Sequence, residues 1–171
     1  MATNGAGQRA STEAPLVEAL LAIGRVMLAL TARSIARLDV DVTLSQCRVL
    51  VLLAAHGPRR TTDLAAHLGV SPSTVTRTCD RLVNRGLARR FRRDDDRRAS
   101  WITLTEDGKG LIGSVMRQRR EDVDRLAREA RLHSPAVVAR ALDAVVAAAG
   151  ELPEAEWWRR WELSAAMDSS G

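Results

Sequence analysis

Apolar residues recur at every third or fourth position along most of the chain, a spacing typical of amphipathic helices. The first such pattern begins at Pro15 and continues for about six turns to Ser34. Its apolar positions are Leu16, Leu20, Leu21, Ile23, Met27, Leu28 and Leu30. A helix this apolar carries more hydrophobic surface than one small domain can cover. We therefore expect part of it to lie in an interface between two subunits.

The next two helical patterns are short and carry their own start and stop signals. Thr43 begins a Thr-Leu-Ser-Gln stretch that fits a capping box completed by Gln46, and the His-Gly-Pro stretch at 56–58 ends this second helix. A third helix is predicted to begin near residues 61–62 and to end at Gly69. A fourth follows after a tight turn, which predicts a helix-turn-helix.

The fourth helix, predicted over residues 71–85, has two faces of different chemistry. Ser71 is a favoured N-cap, Pro72 suits the first helical position, and Gly86 provides the stop. Its inner face is one apolar stripe of Val75, Cys79 and Leu82. Its outward face consists of Ser73, Thr76, Arg77, Asp80 and Arg81. Small hydroxyls and arginines on an exposed face can enter a DNA major groove and donate to bases and phosphates. The pattern therefore predicts a recognition helix.

After this helix the period changes from that of a helix to that of a strand. Residues 87–93 and 99–104 alternate between apolar and polar side chains, with the charged stretch 94–98 between them. This predicts a β-hairpin with a charged tip, a wing attached to the helix-turn-helix.

Two further helices complete the predicted fold. Thr105 caps a fifth helix that runs to about His133, and a sixth runs from 134–135 (Ser-Pro) to Gly150. A short amphipathic segment follows Pro153, and we expect its tryptophans to fill a groove at the base of a dimer. These are Trp157, Trp158 and Trp161. Residues 1–14 are small and polar and are expected to be disordered, and residues 164–171 to be frayed.

Composition adds a basic charge to this helical pattern. The chain has 171 residues, with 26 basic and 21 acidic ones and a net charge of +5. Lys109 is the only lysine, so nearly all positive charge is arginine, which suits bidentate contacts to phosphate and guanine. A GC-rich genome would produce the same bias, so composition alone does not establish nucleic-acid binding.

Other chemistry is less favoured by the sequence. Cys47 and Cys79 are too few for a disulfide scaffold, and the three histidines lie in separate elements, so we expect neither a metal nor a cofactor. No catalytic constellation is visible, which argues against an enzyme. The longest uninterrupted apolar run, 49–55, is too short to cross a bilayer, and no secretory signal is visible. We therefore expect a soluble, cytoplasmic protein with no membrane partner.

Four stretches resemble the multiple antibiotic resistance regulator (MarR) family of bacterial winged-helix transcription factors. They are residues 63–77, 80–82, 85–87 and 96–105. The last of these fits the family's wing signature of Asp, one residue, Arg, five residues and Leu-Thr, and this signature is the most specific of the four. One departure is Arg93-Asp94-Asp95, where many members have an Asp-Pro turn.

The resemblance implies a mainly α fold with a small β-hairpin wing, in which six helices build a triangular homodimer. It implies an N-terminal dimerisation helix at 15–42 and a winged helix-turn-helix at 43–105. C-terminal dimerisation helices follow at 106–150, and the flanks are the tail 1–14 and the Trp-rich segment 151–171.

The resemblance also implies roles for residues at the DNA. Thr76 and Arg77 match positions that touch DNA, Arg77 being suited to a guanine. Phosphate contacts are expected from Ser71, Ser73, Thr74 and Arg81. At the wing tip, Arg97 and Arg98 are candidates for the minor groove, with Asp96 orienting Arg98.

The function implied is that of a DNA-binding regulator, most simply a repressor that binds double-stranded operator DNA as a homodimer and responds to a small-molecule effector. Two alternatives remain from the residues. One is a thiol-based redox sensor using Cys47 or Cys79, and the other is a winged-helix module that binds protein. Trp101 is expected either to line an effector pocket or to pack beneath the hairpin.

Overall fold

The computed structural model describes the backbone of residues 4–38, 40–93 and 96–168, and the side chains of residues 13–38, 40–92 and 100–163. These residues form seven helices and three strands. In chain order they are α1 (Asn4–Ala36), α2 (Leu44–His56), β1 (Arg59–Arg60), α3 (Thr61–Leu68), α4 (Pro72–Asn84), β2 (Ala88–Arg93), β3 (Asp96–Leu104), α5 (Glu106–Glu129), α6 (Pro135–Ala148) and α7 (Glu154–Asp168). The mainly helical winged-helix class is confirmed, and the helix count is seven rather than six.

Helix α2 lies at the centre of the core. Thr43 and Gln46 form the predicted capping box: the Thr43 hydroxyl accepts from the Gln46 N–H at 3.3 Å, and Gln46 Oε1 accepts from the Thr43 N–H at 2.8 Å. The side chains buried around α2 come from α3, α4, the sheet and α5. Together with residues of α2 itself, the largest fully buried side chains are Val49, Leu50, Leu64, Val75, Leu82, Ile102 and Ile112. This core holds the helix-turn-helix and the base of the wing together.

The wing is a three-stranded antiparallel sheet in the order β1-β3-β2. The hairpin was predicted, but β1 was not, because two residues are too few to show an alternating pattern. Strand β3 begins at Asp96, paired with Arg93, so the predicted charged tip at 94–98 was too long. Residues 94–98 are all charged, so the sequence shows no apolar alternation there, although Arg93 and Asp96 pair. Residues 94–95 lie outside the described part of the chain.

Helix α1 begins earlier than predicted. Residues 4–14, expected to be disordered, continue the helix upstream of Pro15, which lies inside it. Proline has no backbone N–H, so inside a helix it removes a hydrogen bond, whereas in the first turn that N–H would have had no partner. This preference for the first turn suggested that the helix starts at Pro15. The upstream stretch contains good helix formers, and adding turns to an existing helix costs far less than nucleating a new one.

The two C-terminal boundaries also differ from the prediction. Helix α5 ends at Glu129 rather than near His133, and Arg131 follows in a left-handed conformation with φ of 45°. No glycine marks this turn, so the sequence pattern ran through it. Helix α7 continues to Asp168, where fraying had been expected from Ser164.

Helices α1 and α6 leave a large apolar surface uncovered. The exposed apolar side chains of α1 include Leu16, Val17, Leu21, Ile23, Val26 and Leu28, and those of α6 include Val137, Val138 and Leu142. The segment Glu13–Ala36 is, by length and composition, apolar enough to cross a membrane. Arg25 and Arg33 interrupt it, which is why no single apolar run of that length is visible in the sequence. A helix covered by a second subunit has the same composition.

Candidate nucleic-acid interface

Helix α4 is fixed by its apolar stripe, which decides the face it presents to solvent. Val75, Cys79 and Leu82 are at most 1% exposed and point into the core. Ser71 caps the helix, its Oγ accepting from the Thr74 N–H at 3.3 Å. The residues between the stripe positions must therefore face away from the core, because the helix is anchored along its full length.

The N-terminus of α4 carries three exposed hydroxyls, two of which lie within hydrogen-bond distance of the third, that of Ser71. Ser71 Oγ lies 3.0 Å from Ser73 Oγ and 2.9 Å from Thr74 Oγ1. The backbone N–H groups of a helix N-terminus, together with its dipole, favour an anion. Hydroxyls grouped at this end can donate to a phosphate that the helix end attracts.

One turn further on, the outward face carries Thr76, Arg77 and Arg81. Thr76 is half-buried, and its hydroxyl donates to the Pro72 carbonyl at 2.9 Å. Arg77 is exposed, and its Nε donates to the Ser73 carbonyl at 3.3 Å. This bond uses Nε and orients the guanidinium, while the two Nη atoms that pair bidentately with a guanine are not part of it. Arg81 is exposed one turn after Arg77.

An ion pair connects the recognition helix to the wing. Arg90 Nη2 of β2 donates to Asp80 Oδ1 of α4 at 2.6 Å. Sequence reasoning placed Asp80 on the outward face but did not find this partner. Asp80-Arg81-Leu82 was one of the matching motifs, but nothing in the linear sequence showed that Arg90 lies beside it.

The base of the wing is packed through its aromatic residues. The rings of Phe91 and Trp101 lie 6.4 Å apart, and the guanidinium of Arg60 lies 5.2 Å from the Trp101 ring centre. Trp101 therefore packs against the hairpin, which was one of the two positions expected for it. Asp96, Arg97 and Arg98 belong to β3, but their side chains lie outside the described residues, so their predicted roles stay predictions.

Both cysteines are buried. Burial raises the pKa of Cys47 to about 11. Burial also raises the pKa of Cys79 to about 11, with Asp80 adding to the effect and Arg90 opposing it. Since the thiolate is the form that reacts with oxidants, both thiols are held in the unreactive protonated form at neutral pH. This argues against the redox-sensing alternative.

Two of the three histidines, which lie in separate elements as expected, meet in the folded chain. The rings of His56 and His67 lie 5.6 Å apart in a pocket of about 180 Å³ between α2 and α3, beside Arg59 and Asp63. Burial, and then Arg59, His67 and Arg160, lower the pKa of His56, with Glu151 opposing them. Within the described ranges no group of three His, Cys, Asp or Glu side chains is arranged to hold a metal ion.

Comparisons with known proteins agree with this geometry. A MarR family profile matches residues 42–100. The chain is 35% identical over 75 residues to the HTH-type transcriptional regulator YfiV of Bacillus subtilis, covering 44% of this chain and 47% of that protein. It is 34% identical over 79 residues to the HTH-type transcriptional repressor MdtR of the same organism, covering 46% of this chain and 51% of that protein. The matched part thus spans about half the length of these relatives.

Solved structures extend the likeness beyond the winged helix. The crystal structure of RV1404 from Mycobacterium tuberculosis is 36% identical with a TM-score of 0.74, covering 81% of this chain and 95% of that one. Wild-type MarR from E. coli, in its apo form, shares the fold with a TM-score of 0.68 at 22% identity, covering 77% of this chain and 96% of that one. The chain therefore belongs to the MarR family of transcriptional regulators.

Proposed function

We propose that the protein is a cytoplasmic, homodimeric repressor that binds a pseudo-palindromic DNA operator and releases it when a small molecule binds. The observation that carries this proposal is the outward face of α4. Its hydroxyls and arginines are held in solvent by a fully buried stripe on the opposite side of the helix. Membership of the MarR family is the second support for this proposal.

In the proposed complex, α4 enters the major groove and the β2–β3 hairpin reaches the adjacent minor groove. Arg77 contacts a guanine, and Thr76 lies against a neighbouring base. The N-terminal hydroxyls of α4 and the Arg81 guanidinium bind phosphates and set the register. Arg97 and Arg98 enter the minor groove, where Asp96 orients Arg98. The DNA-binding unit is then residues 43–105.

The proposed dimer uses the uncovered apolar faces of α1 and α6. Leu21 is 61% exposed and Leu28 is 54% exposed in the single chain. Exposing apolar side chains to water is unfavourable, and burial against a second copy would remove this unfavourable contact with water. Helix α6 likewise exposes its apolar side chains, since none of its residues is buried. Within residues 15–42 and 106–150, the proposed dimerisation region, these faces of α1 and α6 make the contact between the two copies. The two recognition helices then meet half-sites about one helical turn apart, roughly 34–36 Å.

The proposed effector is a small phenolic or lipophilic anion that binds between the dimerisation and DNA-binding regions. It lowers DNA affinity by binding more tightly to the dimer whose lobes have the wrong spacing for DNA. Both thiols are buried and protonated and therefore react poorly with oxidants, so we favour regulation by ligand binding over regulation by oxidation.

The test begins by sequencing the genomic DNA that the purified protein retains, which defines an operator. Fluorescence anisotropy then compares Arg77→Ala with wild type on that operator and on variants at each base pair. We expect a loss of about 1–3 kcal/mol and a relaxed preference at one base pair. Arg120→Ala is the matched control, since Arg120 is an exposed arginine of α5 outside the DNA-binding unit. Equal loss on every sequence would contradict the base-reading role of Arg77.

A salt titration separates DNA binding from the protein-binding alternative. If about 6–10 phosphates are contacted, affinity falls by orders of magnitude between roughly 50 and 200 mM salt. An affinity for DNA that hardly changes over this range would favour a protein-binding module instead.

A further inference from the structure

Helix α7 is fixed to α2 by a tryptophan whose side chain is almost completely buried. Trp157 is 5% exposed, and its indole Nε1 donates to the Val51 carbonyl of α2 at 3.2 Å. At the start of the segment, Glu151 pairs with Arg48 of α2. The expected position of the tryptophans in a groove at the base of a dimer is thus wrong for Trp157, which packs in the core of its own chain. Its indole N–H reaches a carbonyl there, which fixes the ring.

The same helix also contacts the middle of α5. A Cβ on Gly113 would lie 2.7 Å from Trp161 Cζ2, so the indole lies against the helix at a position where any larger residue would have to displace it. Arg117 stacks on the same ring at 5.8 Å, and Arg119 pairs with Glu154 at 3.6 Å. Trp158 lies edge-on between the other two indoles, with ring centres 5.0 and 5.5 Å from Trp157 and Trp161. The three rings therefore form one continuous bridge from α2 to α5.

This bridge reaches α5 at the point where the helix leaves the winged-helix core. The residues of α5 that are buried in its first half end at Met116. The second half packs against α1 instead, and Arg37, the residue after α1, pairs with the buried Asp122 at 3.5 Å. Contacts at Gly113, Arg117 and Arg119 thus straddle the junction between the two halves.

We propose that α7 is a brace that holds the second half of α5 at a fixed angle to the DNA-binding core. In the dimer this angle sets the spacing of the two recognition helices, so Trp157 and Trp161 act as positioning residues for DNA binding. The inference rests on the proposed homodimer. It assigns a role in DNA affinity to side chains of α7, a helix that follows the DNA-binding unit in the chain and makes none of the proposed DNA contacts.

The test uses the full-length protein and two glycines of the same helix. Gly113→Ala pushes against Trp161, whereas Gly110→Ala adds the same methyl group where nothing lies within 4 Å. Both substitutions raise the helix propensity of α5 equally, so any difference between them reports on the brace. A nitroxide on Asn84→Cys, exposed at the end of α4, reports the distance between the two lobes by pulsed electron spin resonance. The buried native thiols are too unreactive to compete for the label.

We expect Gly113→Ala to broaden the distance distribution and to weaken operator binding about 3- to 10-fold, as when only a third to a tenth of the dimers keep the competent spacing. Gly110→Ala should match wild type in both measurements. Trp161→Ala should resemble Gly113→Ala. The double variant should be no worse than Trp161→Ala, because the added methyl group then meets only the flexible end of Arg117, at 3.2 Å, which can move aside.

Three results would overturn the brace. The first is a wild-type distance distribution and affinity in Trp161→Ala, which removes the bridge directly. The second is a change of tryptophan emission in Gly113→Ala without any change in spacing or affinity. The third is the absence of any dipolar signal in the labelled wild type, which would show a monomer and so contradict the proposed dimer itself.

Discussion

Replacing Asp80 by asparagine separates two opposite effects of one carboxylate at the DNA surface. Asp80 pairs with Arg90 at 2.6 Å, and their side chains are 49% and 39% exposed. An ion pair this exposed stabilises a fold by only about 0.2–1 kcal/mol. The carboxylate nevertheless lies on the helix that approaches phosphates, where it repels them and neutralises Arg90. We therefore expect Asp80→Asn to unfold slightly more easily and yet to bind DNA more tightly at low salt.

The magnitude follows from the charge. The substitution removes one negative charge, raising the net charge from +5 to +6, and releases Arg90 for a phosphate. One additional phosphate contact steepens the slope of log K against log salt by about 0.9. Between roughly 50 and 200 mM salt that is about a 3.5-fold larger fall in affinity. The affinity for random DNA rises by the same factor as the affinity for the operator, because a phosphate contact does not depend on sequence. The ratio of the two affinities therefore does not change.

The assay is anisotropy on operator and scrambled duplexes over this salt range, with urea unfolding of the same samples. Asp124→Asn is a matched control, because it removes an equally charged partner of an exposed arginine, Arg128, at 3.0 Å on α5. A double-mutant cycle with Arg90→Gln gives the coupling energy of the pair. The reasoning is refuted if Asp80→Asn weakens binding to both duplexes without steepening the salt slope.

Two further predictions concern buried groups. Cys47 and Cys79 should react with a thiol reagent only at the rate at which the protein unfolds, since burial raises both pKa values to about 11; rapid native-state labelling of either would show that burial to be wrong. Burial lowers the pKa of His56 in the folded protein. As the pH falls below about 6.5, the unfolded chain therefore takes up this proton before the folded one does, and the free energy of unfolding decreases as the pH falls further. His56→Gln should lose less stability than wild type between pH 7 and pH 5 in urea titrations, and an equal loss would exclude this contribution.

Local rules were sufficient for the parts of the site that are local. The cap at Ser71, the glycine stop at Gly86 and the apolar stripe of α4 together fix which side chains face outward, and the structure has all three. The capping box at Thr43 is another example, since every atom in it comes from four consecutive residues. These features need no knowledge of the rest of the chain.

Features that depend on distance between elements could not be obtained this way. The Asp80–Arg90 pair joins a helix to a strand, and His56 meets His67 across two helices. Trp157 shows the same limit most clearly. Its sequence neighbourhood indicates only an amphipathic segment, while its indole reaches a carbonyl 106 positions earlier in the chain. Only the packing of α7 against α2 in the folded chain brings this indole to its hydrogen-bond partner.

Net charge overstates the charge that this protein can offer to DNA. Lys109, the single lysine, is buried and pairs with Glu106 at 3.5 Å. Several arginines are committed to structural pairs, as in Arg48 with Glu151 and Arg90 with Asp80. Among the described side chains, no carboxylate pairs with Arg77 or Arg81 on the outward face of α4. Because an unpaired arginine keeps its full attraction for phosphate while a paired one is largely neutralised, affinity for DNA should follow these few positions rather than the total charge. The acidic partners thus decide which arginines hold the fold together and which remain for the operator.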